Sequence, residues 1–371
     1  MAVRFKVLQT AAHLYMYWGD LARQRAMIAE LEQIALASDD PGARGEALVG
    51  EAQAALTAGD YARARDLLEM SLAPLISADD QSRVAHALLL LGVATVYEDD
   101  SIAGHRLFDR ALSLAEELGA RHVIAGTIFQ LGWLALLEGD IARARSFATR
   151  CLELAPPGDV QARAYLHQLF GMVALAEGDL PQAHEALLAG VRDYSAQGNR
   201  HQLIGGIEAV AALAMVQGRY VTAARLRGAT EAARERQGAL PPALMRRALD
   251  RVLAEIRAHL SAEEYERARD AGHLLPLADA GAEALALPAT ALPAAVAGDS
   301  EPPKVTTVVA LTRQQLVVAK LIADGLSNPA IGVALKISRR TADAHVQHIL
   351  ERLRLQNRAQ IASWYVERSD E

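Results

Sequence analysis

The sequence predicts an all-α protein: an α-solenoid of about six helix pairs, then a small module of four helices. Three observations carry that prediction. A Gly-Asp turn and a column of small residues recur with one shared period of about forty residues. Within each repeat, apolar residues fall at three- and four-residue spacing, the helical period. Over the last sixty or so residues the text changes, and capping signals open four short helical stretches.

The turn pattern Gly-Asp-x-Ala-x-Ala reads Gly59-Asp60-Tyr61-Ala62-Arg63-Ala64 and Gly139-Asp140-Ile141-Ala142-Arg143-Ala144. Weaker copies start at Gly19, Asp99, Gly178 and Gly218, in steps of 40, 40, 40, 39 and 40 residues. Seven residues before each stands Ala12, Ala52, Gly92, Gly132, Gly171 or Ala211. Two independent columns on one period define six repeats. Leu131, Leu134, Ala135 and Leu137 share one side of a helix that should end at Gly139, where glycine takes the left-handed conformation. Asp140 then caps the next helix, which carries Ile141, Ala144, Ala148, Cys151 and Leu152 inward. Small residues at Gly132 and Ala144 let the two helices cross closely. No pair buries its apolar face alone, so neighbours stack into a superhelix.

The units resemble tetratricopeptide repeats over residues 1–238, through the small-residue columns and the Gly-Asp turn; a generic α-solenoid has the same architecture. The period exceeds the usual 34, and Asp99-Asp100 replaces Gly-Asp in the third copy. Met1 lies inside the first helix with no polar cap before it. Either a preceding segment or packing on another chain is expected there, the first more than the second.

Residues 239–287 read as helices capping the array's C-terminal end. Pro241-Pro242 opens one from Ala243 to Leu260, Ser261-Ala262-Glu263-Glu264 is a capping box for another to about Gly272, and a short one follows within His273 to Leu287. Residues 288–310 are rich in Ala and Pro and read as a semi-flexible linker.

The module occupies 311–371. Thr312-Arg313-Gln314-Gln315 opens a helix through Ala323, and Gly325 stops it. Ser327-Asn328-Pro329 starts a second helix to about Leu335. Ser338 caps a third to about Leu353, and Asn357-Arg358-Ala359-Gln360 caps a fourth to about Tyr365. The net charge is −7 for the chain but +3 from Leu311 on, leaving −10 for residues 1–310. An acidic body with a basic module suggests that the module meets a polyanion.

Leu311-Thr312, Leu321 to Asn328, Ile331, Leu335, Ile337-Ser338, Thr341, His345-Val346, Ile349-Leu350, Leu353 and Asn357-Arg358 resemble the LuxR-type helix-turn-helix of bacterial transcription regulators. The resemblance covers residues 311–366. It implies that the third helix is the recognition helix, with Ala342, Val346, Ile349 and Leu353 inward and Arg339, Arg340, Asp343, Ala344 and Gln347 outward. Positions matching Asp343, Ala344 and Gln347 face bases in that family. Those matching Ser327, Asn328, Thr341, His345, Asn357 and Arg358 lie near phosphates or serve as structural caps. An arginine on a guanine edge is worth about 1–3 kcal/mol of discrimination; phosphate contacts give affinity without sequence information. The family's last helix forms a two-fold dimer on DNA, which assigns Ile361, Trp364 and Tyr365 to dimerisation or to core packing, or to both. The chain departs where the family commonly has a basic residue (Asp343), an acidic pair (Gln315 and Val317) and a glutamate (Ala330). Asp343 could instead accept from a cytosine amino group.

Catalytic chemistry has few footholds. Lys6, Lys304, Lys320 and Lys336 follow no glycine-rich phosphate loop, and there is no HExxH helix. One cysteine, Cys151, excludes a disulfide framework and reads as a buried thiol. His345 and His348 share a helix face, where a surface role is expected rather than a metal. Asp60 and Asp140 read as caps, not as an acid–base pair. No cofactor, metal or catalytic residue is expected, nor a signal peptide or membrane span, so the location expected is cytoplasmic.

The expected function is transcription regulation, not enzymology. The module would bind double-stranded DNA as a homodimer. The array would receive an unidentified peptide, protein or small-molecule effector in its concave face, where His86, His122, Gln130, His167, Gln168 and His201 could line a groove; solvated or repeat-packing roles remain open for them. The alternative is an interaction scaffold with a degenerate DNA module. Large LuxR-family regulators often carry an ATP-binding domain before helical repeats and this module, and the chain resembles their last two parts; a fragment of such a regulator is a third reading.

Overall fold

The computed structural model describes residues 2–154, 160–237, 241–290, 313–335, 337–353, 355 and 357–369. These residues are helices and their connections, and they fall into two compact units, the array and the C-terminal module.

The array is built from the six expected pairs: α1 (Ala2–Trp18) with α2 (Leu21–Leu36), α3 (Pro41–Ala58) with α4 (Tyr61–Ser77), α5 (Gln81–Tyr97) with α6 (Ser101–Leu118), α7 (Arg121–Glu138) with α8 (Ile141–Leu154), α9 (Val160–Glu177) with α10 (Leu180–Ala196), and α11 (Arg200–Val216) with α12 (Tyr220–Gln237). The turn inside every pair has the predicted left-handed residue. Gly19, Gly59, Gly139, Gly178 and Gly218 have φ between +71° and +82°, and Asp99 takes φ +73° in the copy that lacks glycine. At Gly59 the end is a Schellman motif, Gly59 N–H donating to Leu56 O (3.1 Å) and Asp60 N–H to Ala55 O (2.9 Å). The aspartate after the turn caps the next helix: Asp20, Asp60, Asp100 and Asp179 accept from the backbone N–H of Arg23, Arg63, Ala103 and Gln182. A second left-handed column, at Asp79, Gly119 and Gly198, turns one pair into the next.

The small-residue column sets the distance between helices. A Cβ on Gly92 would sit 2.6 Å from the Phe108 ring, on Gly132 2.7 Å from Leu169, and on Gly171 2.6 Å from Leu187. Ala52 and Ala211 of the same column are fully buried, as is Ala144 on the second helix of its pair.

Beyond α12 come α13 (Ala243–His259), α14 (Ala262–His273) and α15 (Leu277–Leu285). The capping box of α14 is formed: Ser261 accepts from Glu264 N–H (3.3 Å), and the Glu264 carboxylate accepts from Ser261 N–H (3.0 Å). Helix α14 lies on α12, and α15 on α10, α11 and α12, so these two cover the last pair. Helix α13 does not follow them. It folds back over the concave face, where Leu244 packs on the core shared by the middle pairs and Arg247 pairs with Asp99 (3.5 Å). Helix α1 in turn packs on α11, bringing the first pair round to the sixth. The array is therefore closed on itself, with α13 inside the closure.

The module consists of α16 (Arg313–Ala323), α17 (Asn328–Ala334), α18 (Arg339–Leu353) and α19 (Arg358–Ser369). Its core is Val318, Ala319, Ile322, Ile331, Ala342, Val346, Ile349 and Ile361. Gly325 (φ +84°) makes the turn after α16. Gly332 lets the chain turn sharply into α18, where Ile337 N–H donates to Gly332 O at 2.8 Å. Thr312 and the stretch 291–310, which holds most of the expected linker, lie outside the described residues. Among the described residues no helix is long and apolar enough to cross a membrane.

Candidate nucleic-acid interface and the cavity of the array

Helix α18 separates its two faces as its periodicity requires. Ala342, Val346 and Ile349 are buried and Leu353 is half-buried against the module core. Arg339, Thr341, Ala344 and Gln347 are exposed, Asp343 and His345 half-buried. The Arg340 side chain lies outside what is described. Ser338 caps α18, its hydroxyl accepting from Thr341 N–H at 3.1 Å.

The structure gathers three of the expected site residues into one internal network. Asn328 Nδ2 donates to Asp343 Oδ1 (2.8 Å), Arg358 donates to Asn328 Oδ1 (3.2 Å), and Arg358 also donates to Leu326 O. Arg339 stands 3.8 Å from Asp343. The polar groups of Asn328, Asp343 and Arg358 therefore tie the start of α17, the middle of α18 and the start of α19 together. Asp343 has an acceptor's job inside the fold, which accounts for an acidic residue where the LuxR pattern is commonly basic. Asn357 is a cap, its side chain accepting from Gln360 N–H at 3.1 Å. Ser327 precedes α17 and makes no side-chain capping bond.

The α19 residues divide by depth. Ile361 is completely buried in the module core, so its side chain is interior packing and is not presented to a partner. Trp364 and Tyr365 are half-buried against the same core.

The array holds a half-open cavity of about 510 Å³. His86, His122, Gln130, Gln168 and His201 line it, as the concave-groove expectation has them; His167 is outside the lining and pairs with Asp193 at 3.0 Å. Sequence reasoning missed the rest of the wall. Tyr61 and Tyr97 meet edge to face (centroids 5.1 Å), and Phe129 packs on Tyr165 (4.8 Å) and lies parallel to Trp133 (6.5 Å). Met245, Leu249 and Val252 of α13 close one side. The signal available for Tyr97, Phe129, Trp133 and Tyr165 was their position, on first helices near the small-residue column; Tyr61 and the α13 residues carried none.

The charges in the wall cancel. Glu208, only 7% exposed, receives a two-pronged hydrogen bond from Arg234 (3.0 and 2.8 Å) and a third from Arg227 (3.3 Å). Burial, the neighbouring His122 and then His13 push the His86 imidazole down to about 4; burial and the Arg234 guanidinium push His201 down to about 4. Both rings are neutral at physiological pH. His201 Nδ1 is buried without a hydrogen-bond partner. Cys151, also in the wall, has its thiol pushed up to about 11 by burial, which keeps it protonated at neutral pH. Among the described residues no group of histidines, cysteines and carboxylates is arranged to hold a metal ion.

No curated protein matches the chain. Residues 309–365 match the family model described as bacterial regulatory proteins, luxR family. The match spans α16, α17, α18 and most of α19, the four elements whose core and recognition-type helix are laid out above. The chain thus carries a C-terminal DNA-binding domain of the LuxR family of bacterial regulatory proteins, preceded by an all-helical repeat array.

Proposed function

We propose that this protein is a transcription regulator in which α18 reads operator DNA and the array receives an effector. The observation that carries the reading is the LuxR-family match over a four-helix module whose third helix keeps an exposed N-terminal face. Arg339, Arg340, Ala344 and Gln347 stand on that helix to meet the major groove, Ala344 and Gln347 nearest the bases. Thr341, His345 and Ser327 border it toward the phosphates. Asn328, Asp343, Asn357 and Arg358 hold the reading helix in place, and their contribution to binding runs through that geometry. Two modules pair through α19, using Trp364 and Tyr365. Effector binding in the array controls the spacing or pairing of the two modules. The protein acts in the cytoplasm, where DNA and small metabolites are both at hand.

Selection of binding sites from a random double-stranded pool, using the full chain at moderate salt, tests this. A two-fold symmetric motif is the expected result. Gln347→Ala should then change the preferred base at its position by roughly tenfold, the size of one lost side-chain contact to a base edge. Weak binding without a motif, fading as salt rises, overturns the reading and leaves a repeat scaffold that acts on protein partners alone.

A further inference from the structure

We propose that the array cavity binds an uncharged, planar aromatic molecule carrying a carbonyl or hydroxyl oxygen, with its rings among Phe129, Trp133 and Tyr165 and its oxygen at His201. The inference rests on the reading of the array as the receiving half and names the class of effector.

Size comes first. About 510 Å³ is within the range of small-molecule sites, roughly 300–1,000 Å³. A helical peptide is a poor fit, because α13 already occupies the concave face: Met245, Leu249 and Val252 are wall, not floor space. Charge comes next. Glu208 and Arg234 neutralise each other in a bidentate pair, and His86 and His201 are held neutral. A charged ligand would lose its hydration and find no counter-ion in exchange. A neutral one meets Leu89, Leu90, Val93 and aromatic faces, which favour offset or edge-on ring contacts.

The last observation is the orphaned nitrogen. Burial of His201 Nδ1 without a partner leaves the ring's hydrogen bonding to its other nitrogen and to the cavity that the residue lines. With Nδ1 unprotonated, Nε2–H is a donor, and a donor in a mostly apolar wall selects a ligand oxygen. Gln202, the next residue, donates to the Tyr165 hydroxyl at 3.2 Å, so the donor and the aromatic wall border each other.

The test is a titration of the full chain, without DNA, with the neutral fluorophore 6-propionyl-2-dimethylaminonaphthalene, competed by 2-acetylnaphthalene and by 2-naphthoate. The two competitors share a ring system and differ in charge. Saturable one-to-one binding is expected, with the ketone displacing the fluorophore at least about tenfold better than the carboxylate. His201→Leu should weaken the ketone about fivefold, one neutral hydrogen bond's worth. It should leave the unfolding midpoint unchanged or higher, since it removes a buried unpartnered atom. Ala212→Trp, which fills the cavity, should abolish binding. Unsaturable binding, equal displacement by the carboxylate, or indifference to both substitutions overturns the inference. A chain that selects a DNA motif but fails these titrations loses only the ligand assignment; one that passes them but selects no motif loses only the regulator reading.

Discussion

Glu32 faces Glu51 between α2 and α3, with Arg63 3.3 Å from Glu51. Burial, then the hydrogen bond and repulsion from Glu51, raise the Glu32 carboxyl from 4.5 to about 7, against the pull of Arg63. An acid raised in the folded state takes up a proton on folding. The stability linked to that proton is present below about 4.5 and is lost as pH rises through 7. Glu32→Gln keeps the hydrogen bond without the charge. The variant should be more stable than the parent at pH 8 and gain little at pH 5, measured by denaturant unfolding at both; an equal gain at the two would show that ionisation of Glu32 is not the cause. At the same scale the module separates residues that hold α18 in place from residues exposed on it. Arg358→Ala should lower the module's stability by roughly 2 kcal/mol, because it leaves Asn328 and Leu326 O short of a charged donor. Gln347→Ala should change base preference and cost the module less stability than Arg358→Ala does. If Arg358→Ala leaves the melting of the module unchanged, the network is not structural.

Among the elements, α12 crosses α14 backbone to backbone. A Cβ on Gly228 would stand 2.1 Å from Arg269 O, and one on Gly272 1.9 Å from Arg225 O, so the two backbones touch through reciprocal glycines. Alanine is the better helix former by about 1 kcal/mol, yet Gly228→Ala and Gly272→Ala should each destabilise, by about 3 kcal/mol or more, because the clash is with backbone that cannot rotate away. The double variant should cost less than the two singles together, since the first substitution already parts the helices; full additivity in urea unfolding would refute a shared contact. This crossing was invisible in the sequence. Gly228 and Gly272 belong to no repeated column, and nothing local says which glycines of separate helices will meet. The columns that were legible are those that local physics enforces: the left-handed turn at Gly19 through Gly218, the aspartate caps, the small residues at Gly92, Gly132 and Gly171. The end of α7 and the boundaries of α13, α14 and α16 to α18 followed from the same signals. On the module the periodicity and the LuxR resemblance gave the faces of α18, and left Asn328 and Arg358 open between phosphate contacts and structural caps; their pairing with Asp343 was not legible, because the distances that bring the three together are tertiary.

At the scale of the whole array, closure was the feature that periodicity could not supply. A repeat pattern fixes what each pair does to its neighbour; whether the superhelix returns to its start depends on small rotations summed over six pairs. Here α1 reaches α11, Trp18 lies beside Gly198, and α13 runs inside, touching pairs far apart in sequence. The consequence is thermodynamic. An open solenoid is a one-dimensional chain of nearest-neighbour interfaces, whose end repeats fray first. In a closed one, no repeat is an end. Trp18 in the first pair and Trp133 in the fourth make this measurable. In chains that keep only one of the two (the other and Trp364 replaced by Phe), their fluorescence should report the same urea midpoint. Leu249→Asp puts a charge on α13 against the cavity wall and should loosen the inner brace. The Trp18 midpoint should then fall ahead of Trp133, because the first pair loses its hold on the far side of the array. Were Trp18 to melt first in the parent chain as well, closure would contribute nothing to cooperativity, and the first pair would behave as the frayed end of an open array.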